Sequence, residues 1–242
     1  MGDHLTAGSA APKLLPIPSF LGVPVAELED VRRGDICLAG LFFDHADRFG
    51  FGARFAARQL RYASSAAFGL CSEREMSGRQ FRRCHDLGDL NVFPLEPERL
   101  RDVLIRQARA VFAAGGRLVV IGGAMDLAEV LQSAYHAVWP ERHLGLHKVG
   151  GGERLPVTRE EGAALAVTVD LSLLYCPPRA PGRPKKQLLD AIAGLPVNRI
   201  EAVHLTGFAP ALDLSGRYET ALALHVLRAV VTRLQCAEGE CR

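Results

Sequence analysis

Short, largely apolar runs recur along this chain with amphipathic segments between them, and that alternation restricts the fold more than any other feature. The runs are Asp35–Leu41 (DICLAGL), Arg117–Ile121 (RLVVI), Ala164–Leu171 (ALAVTVDL) and Ile200–Leu205 (IEAVHL). A strand that is apolar on both sides of its pleat is buried on both faces, so it needs a layer above and a layer below. Two further strands are predicted over Arg83–Leu90 and Leu144–Val149. Between them, Leu100, Val103, Leu104, Ala108, Val111 and Phe112 form one apolar stripe on a helix predicted over Pro97–Ala114, with Pro97 in its first turn and Gly115-Gly116 as its stop. Other helices are predicted over Ala53–Ala63, Asp126–Val138, Lys186–Ala193 and Arg217–Leu234. Strands alternating with helices give βα units, a mostly parallel sheet and a three-layer αβα sandwich. The expected organisation is a flexible amino-terminal segment over 1–18, one α/β domain over 19–235 and a tail over 236–242.

With 242 residues, 48% of them hydrophobic, the chain can bury a substantial core as one domain. A net charge of +2 creates no strong field that calls for nucleic acid or an anionic membrane. The densest basic run, Arg179 to Lys186, is broken by Pro181 and Pro184 and reads as a solvated loop rather than a phosphate-binding patch. Met1–Pro12 has no basic stretch followed by an apolar one, and no apolar run spans a bilayer, so a cytoplasmic protein without membrane contact is expected. The six cysteines lack CxxC spacing and are expected as reduced thiols.

Several ordered motifs carry a resemblance. Ser19-Phe20-Leu21-Gly22-Val23-Pro24 opens the domain, Gly40-Leu41-Phe42-Phe43-Asp44 closes the first strand, and Gly52-Ala53-Arg54-Phe55 leads into a helix that continues to Arg61. Asp86-Leu87-Gly88-Asp89-Leu90, the strand Val167–Pro177 and Pro210–Asp213 follow in order. Together they resemble the ureohydrolase family of arginases and agmatinases. The resemblance implies an arginase-like fold, assembly as trimers or hexamers, and hydrolysis of a linear amidine by hydroxide bridging two manganese ions.

In that family the metal ligands come from a Gly-Gly-Asp-His turn, an Asp-x-His-x-Asp segment and an Asp-x-Asp strand, and this chain departs from all three. Gly122-Gly123 is followed by Ala124 and Met125; no Asp-x-His-x-Asp occurs; Asp170 is followed two residues on by Ser172 instead of a second aspartate. The glutamate expected before the later proline is replaced within Thr206-Gly207-Phe208, and only about fifteen residues separate Val149 from Leu165. Met125 is a soft filler and a poor manganese ligand. The expectation is therefore no cofactor, with manganese retained only if the site is functional after all. Asp44, Gly52, Arg54 and Arg61, in the matched motifs, are expected to fix loops or subunit contacts.

Other residues offer rewired sites. His143 and His147 are spaced i, i+4, which on a strand places them on one face, where Asp126 or Asp170 could complete a mononuclear site; otherwise they are exposed or satisfied histidines. Cys84-His85-Asp86 has the residue types of an activated thiolate, but neighbours on a strand face opposite ways. Three readings stand side by side: a ureohydrolase-like pseudoenzyme acting as scaffold or regulatory subunit in a homo-oligomer or beside an active paralogue or pathway protein, a divergent C–N (amidino) hydrolase, and a guanidino- or amino-acid-binding module.

Overall fold

In a computed structural model of the chain, residues 18–44, 52–68, 81–90, 97–150, 163–172, 183–213 and 218–236 are described. Six strands, β1 (Ile36–Gly40), β2 (Cys84–Asp89), β3 (Arg117–Ile121), β4 (Leu144–Val149), β5 (Ala164–Asp170) and β6 (Ile200–Thr206), form one sheet in the order β2-β1-β3-β6-β5-β4. Every neighbouring pair is parallel. Five α-helices accompany them: α1 (Ala56–Phe68), α2 (Pro97–Ala113), α3 (Ala128–His136), α4 (Arg183–Ala193) and α5 (Tyr218–Cys236).

The alternation along each strand sorts the core into two layers. Ile36, Leu38, Val119, Ile121, Val167, Val169, Val203 and Leu205 face one side, where Leu60 of α1, Leu188 and Ile192 of α4 and the apolar stripe of α5 cover them. Cys37, Ala39, Leu118, Val120, Ala166 and Ala202 face the other, against Leu104, Val111 and Phe112 of α2 and Val130, Leu131 and Tyr135 of α3. The three-layer αβα sandwich expected from the sequence is the observed one, and the sheet is parallel throughout.

Element ends moved for local reasons. The predicted helix over Ala53–Ala63 opens as a 3-10 turn at Ala53–Phe55 before α1 begins. The helix expected from Asp126 starts at Ala128, because the Asp126 carboxylate stays outside and accepts the Ala128 N–H (2.9 Å). Of the cysteines, Cys37 and Cys84 are free and buried, whereas Cys236 is disulfide-bonded, against the expectation of reduced thiols throughout. Residues 1–17, 151–162, 173–182 and 237–242 lie outside the described residues, and with them the first half of the basic run and nearly all of the tail. Among the described residues no helix is long and apolar enough to cross a membrane.

The strand order also locates a cleft. From β1 the chain leaves for β2 on one side and returns to β3 on the other, while α1 and α3 cover opposite faces. Such a reversal opens a crevice outside the carboxyl ends of the strands, here between the loops after β1 and β3.

Candidate functional site

The Gly122-Gly123 turn after β3 is wedged between β1 and β6. Gly122 N–H donates to Leu205 O (2.8 Å), Gly123 N–H to Ala53 O (3.2 Å) and Ala124 N–H to Phe43 O (2.9 Å), and Ala124 pairs with Asp44. Gly123 has φ +74°, and a Cβ there would sit 2.5 Å from Leu41 Cδ2, so only glycine fits. Beyond it, Met125 packs its side chain onto the α2–α3 core, and Asp126 is exposed at the start of α3.

The loop after β1 is held by Asp44. Its carboxylate accepts the N–H groups of Gly52 (2.9 Å) and Arg54 (2.7 Å), with Arg54 Nε at 3.8 Å. The Arg54 guanidinium lies over the rings of Phe42 and Phe55, 5.7 and 4.8 Å from their centroids. On α1, Arg61 reaches the carboxylate of Asp86 through both Nε and Nη2, each at 2.9 Å, and also bonds Asp89. The buried Asp86 carboxylate takes two more donors, Phe20 N–H and Gly88 N–H, both at 2.9 Å. Phe20 also lies under Arg61, 4.1 Å from guanidinium carbon to ring centroid. The opening motif is thereby tied to β2, where Val25 forms a parallel bridge with Asp86 and covers the sheet edge. Asp44 thus holds the backbone at Gly52 and Arg54, while Arg61 holds the carboxylates of Asp86 and Asp89.

Across the cleft, β5 and β6 end side by side, Asp170 opposite Thr206. Asp170 Oδ1 accepts the Ser172 N–H (2.9 Å). At Gly207, φ is +79° and a Cβ would stand 2.4 Å from Asp170 Oδ1 and 2.8 Å from Ser172 N. No side chain fits at that position while Asp170 holds the turn. Thr206 Oγ1 donates to Gly123 O (2.9 Å), which joins this edge to the glycine turn.

One residue here escaped the sequence reading. His204 on β6 is fully buried, with Nε2 3.1 Å from Gly122 O, and its Nδ1 has no hydrogen-bond partner among the described residues. Burial lowers its pKa to about 4, against the opposing pull of the Gly122 carbonyl and the charges of Asp126 and Asp170. The ring is therefore neutral at pH 7, donating from Nε2. Its signal in the sequence is an imidazole set among the apolar residues Ala202, Val203 and Leu205 of a strand run.

The rewired metal sites do not assemble. His143 precedes β4 and is exposed at the amino end of the sheet, while His147 lies four residues on, about 13 Å along a strand. His147 pairs with Val167 and follows Val149 onto the α1–α5 side, whereas Asp170 follows Ala166 onto the α2–α3 side. His143 stands just before β4 and His147 within it, and neither lies beside Asp126 or Asp170. Among the described residues, no three His, Cys, Asp or Glu side chains converge as a metal would require. Cys84 is buried, and desolvation above all raises its thiol pKa well beyond the thiolate range at neutral pH. Its neighbour His85 faces Asp35, Nε2 to Oδ2 3.7 Å, rather than the thiol.

Comparison with known proteins places this architecture. Residues 34–146 match the Arginase family. No curated protein sequence matches the chain. The fold is similar to that of proclavaminate amidino hydrolase from Streptomyces clavuligerus, with a TM-score of 0.67, 18% identity, and 94% of this chain and 100% of that one covered. It is similar to a hypothetical agmatinase from Burkholderia thailandensis, with a TM-score of 0.70, 17% identity and 92% of each chain covered. A third similar structure is the oxidized formiminoglutamase of Trypanosoma cruzi, solved with Mn2+ (TM-score 0.65, 13% identity, 89% of this chain and 97% of that one covered). The chain thus resembles the arginase, or ureohydrolase, family over residues 34–146 and shares the fold of these structures over nearly all of its length.

Proposed function

We propose that this chain keeps the ureohydrolase fold without its dinuclear manganese chemistry and serves in the cytoplasm as a scaffold or regulatory subunit, in a homo-oligomer or beside an active paralogue or pathway protein. The supporting observation is the packing of Asp170 against Gly207: the carboxylate that matches the family motif is turned onto the Ser172 N–H and fills the space a side chain at 207 would need. Hard divalent ions take several carboxylate oxygens and an imidazole from converging strand ends. The residues present do not fit that requirement. The Ala124 side chain has no donor atom, Met125 packs against the α2–α3 core, Ser172 offers only a hydroxyl, and the Asp126 carboxylate accepts the Ala128 N–H at the start of α3. Burying clustered carboxylates without a cation is unfavourable, so their exchange for small and apolar residues stabilises the cleft.

The test pairs metal analysis of the purified full chain with a urea-release assay on agmatine, arginine and related guanidino compounds in the presence of manganese. The expected result is neither stoichiometric manganese nor turnover. Stoichiometric manganese with urea release would overturn the reading. Light scattering and pull-down from the native host address the assembly, and a monomer without captured paralogue or pathway protein would remove the scaffold role.

A further inference from the structure

A second cavity, about 290 Å3 in volume, opens at the opposite end of the sheet, where β4, β5 and β6 begin. It is lined by Tyr135 of α3, Arg142 and His143 before β4, Asn198 and Arg199 before β6, and Glu201 within β6. Glu201 is the informative member. A half-buried carboxylate ordinarily accepts hydrogen bonds or pairs with a cation. Glu201 makes no hydrogen bond and no ion pair among the described residues. Burial raises its pKa, and the charges of Arg117 and Arg142 pull it the other way. Arg142 lies 5.6 Å over the Trp139 ring and lines the cavity.

The lining carries both signs, one carboxylate against two guanidinium groups. A simple cation meets two like charges, and a simple anion leaves Glu201 buried beside a second negative group. A molecule with N–H donors at one end and a carboxylate at the other satisfies both. The volume lies just below the range of drug-sized pockets, roughly 300–1,000 Å3, which limits the occupant to a small molecule. We propose that this cavity binds a small zwitterion of the α-amino-acid class, with its ammonium group donating to Glu201 and its carboxylate accepting from Arg142. The proposal is independent of whether the other end of the sheet hydrolyses anything.

The chain has a single tryptophan, Trp139, whose ring contacts Tyr135 at 4.6 Å between centroids, so its fluorescence reports on the cavity. The full chain would be titrated with glycine, L-leucine and L-arginine, and with isopentylamine and 4-methylpentanoate as leucine lacking one charged group. A saturable fluorescence change with at least one zwitterion is expected, and tenfold or weaker binding of both leucine fragments where leucine is the zwitterion that binds. Glu201→Gln and the surface variant Arg142→Gln should each weaken binding tenfold or more, with far-UV circular dichroism unchanged. No saturable change with any of the three zwitterions overturns the proposal. So does a fragment binding as well as leucine, or a loss of binding in Asp170→Asn that Glu201→Gln does not share, which would put the ligand in the other cleft.

Discussion

Removing the Arg61 side chain tests whether the matched motifs of this chain act as structure. The Arg61 and Asp86 side chains are 12% and 2% exposed, so their ion pair is a buried one. Arg61→Ala withdraws two of the four donors on the Asp86 carboxylate, leaving Phe20 N–H and Gly88 N–H. It also strips the cation from the Phe20 ring. Breaking a buried pair from one side is destabilising by about 3–5 kcal/mol, against about 0–1 for an exposed pair. The lost cation–π contact adds about 1 kcal/mol. A loss of about 5 kcal/mol is therefore expected, a large part of the roughly 5–15 kcal/mol that holds a typical domain. Arg61→Lys keeps the charge but not the two-pronged geometry, and should fall about midway. The assay is urea denaturation followed by far-UV circular dichroism, with Asp86→Leu and the double variant completing a cycle. The coupling between the two sites should be about 2 kcal/mol, within the range for groups in one network. An Arg61→Ala loss below about 1 kcal/mol would refute the reasoning, because it is the value of a solvated pair.

Three other outcomes follow from the site. His204 has a folded pKa of about 4 against 6.5 for the free ring, so the unfolded chain takes up a proton first as pH falls. Its contribution is present above pH 6.5 and lost between there and 4, by up to about 3 kcal/mol, and the melting temperature of His204→Leu should be flatter than that of the parent across this window. Gly207→Ala places a Cβ 2.4 Å from Asp170 Oδ1 at a positive φ, and a loss of about 2–4 kcal/mol is expected in the same urea assay, from left-handed strain together with the displaced carboxylate. Met125→His alone should release no urea from agmatine or arginine with manganese supplied, since Ala124, Ser172 and Gly207 still contribute no carboxylate; measurable turnover would show the site to be one ligand short rather than dismantled.

Much of the fold is legible along the chain because strand burial and helix periodicity are local properties. The runs around Val119, Val167 and Val203 are apolar on both faces, and that demanded helices on both sides before any contact was known. At the glycine turn, residue type alone says that the Ala124 side chain has no donor atom and that the Met125 thioether suits manganese poorly. What misled was spacing without direction. His143 and His147 stand four residues apart, yet one lies before β4 at the amino end of the sheet and the other on the face away from Asp170.

By itself, then, the sequence determined the α/β layering and the order of the elements. The tertiary structure decided which distant residues meet. Phe20 reaches Asp86 across 66 positions, and Thr206 reaches Gly123 across 83. Glu201 gains its cavity only where three strand starts lie side by side. The physical reason is that local patterns fix which face of an element is apolar, while the crossing of β3 to β6 and the burial that follows fix which polar groups are left facing one another.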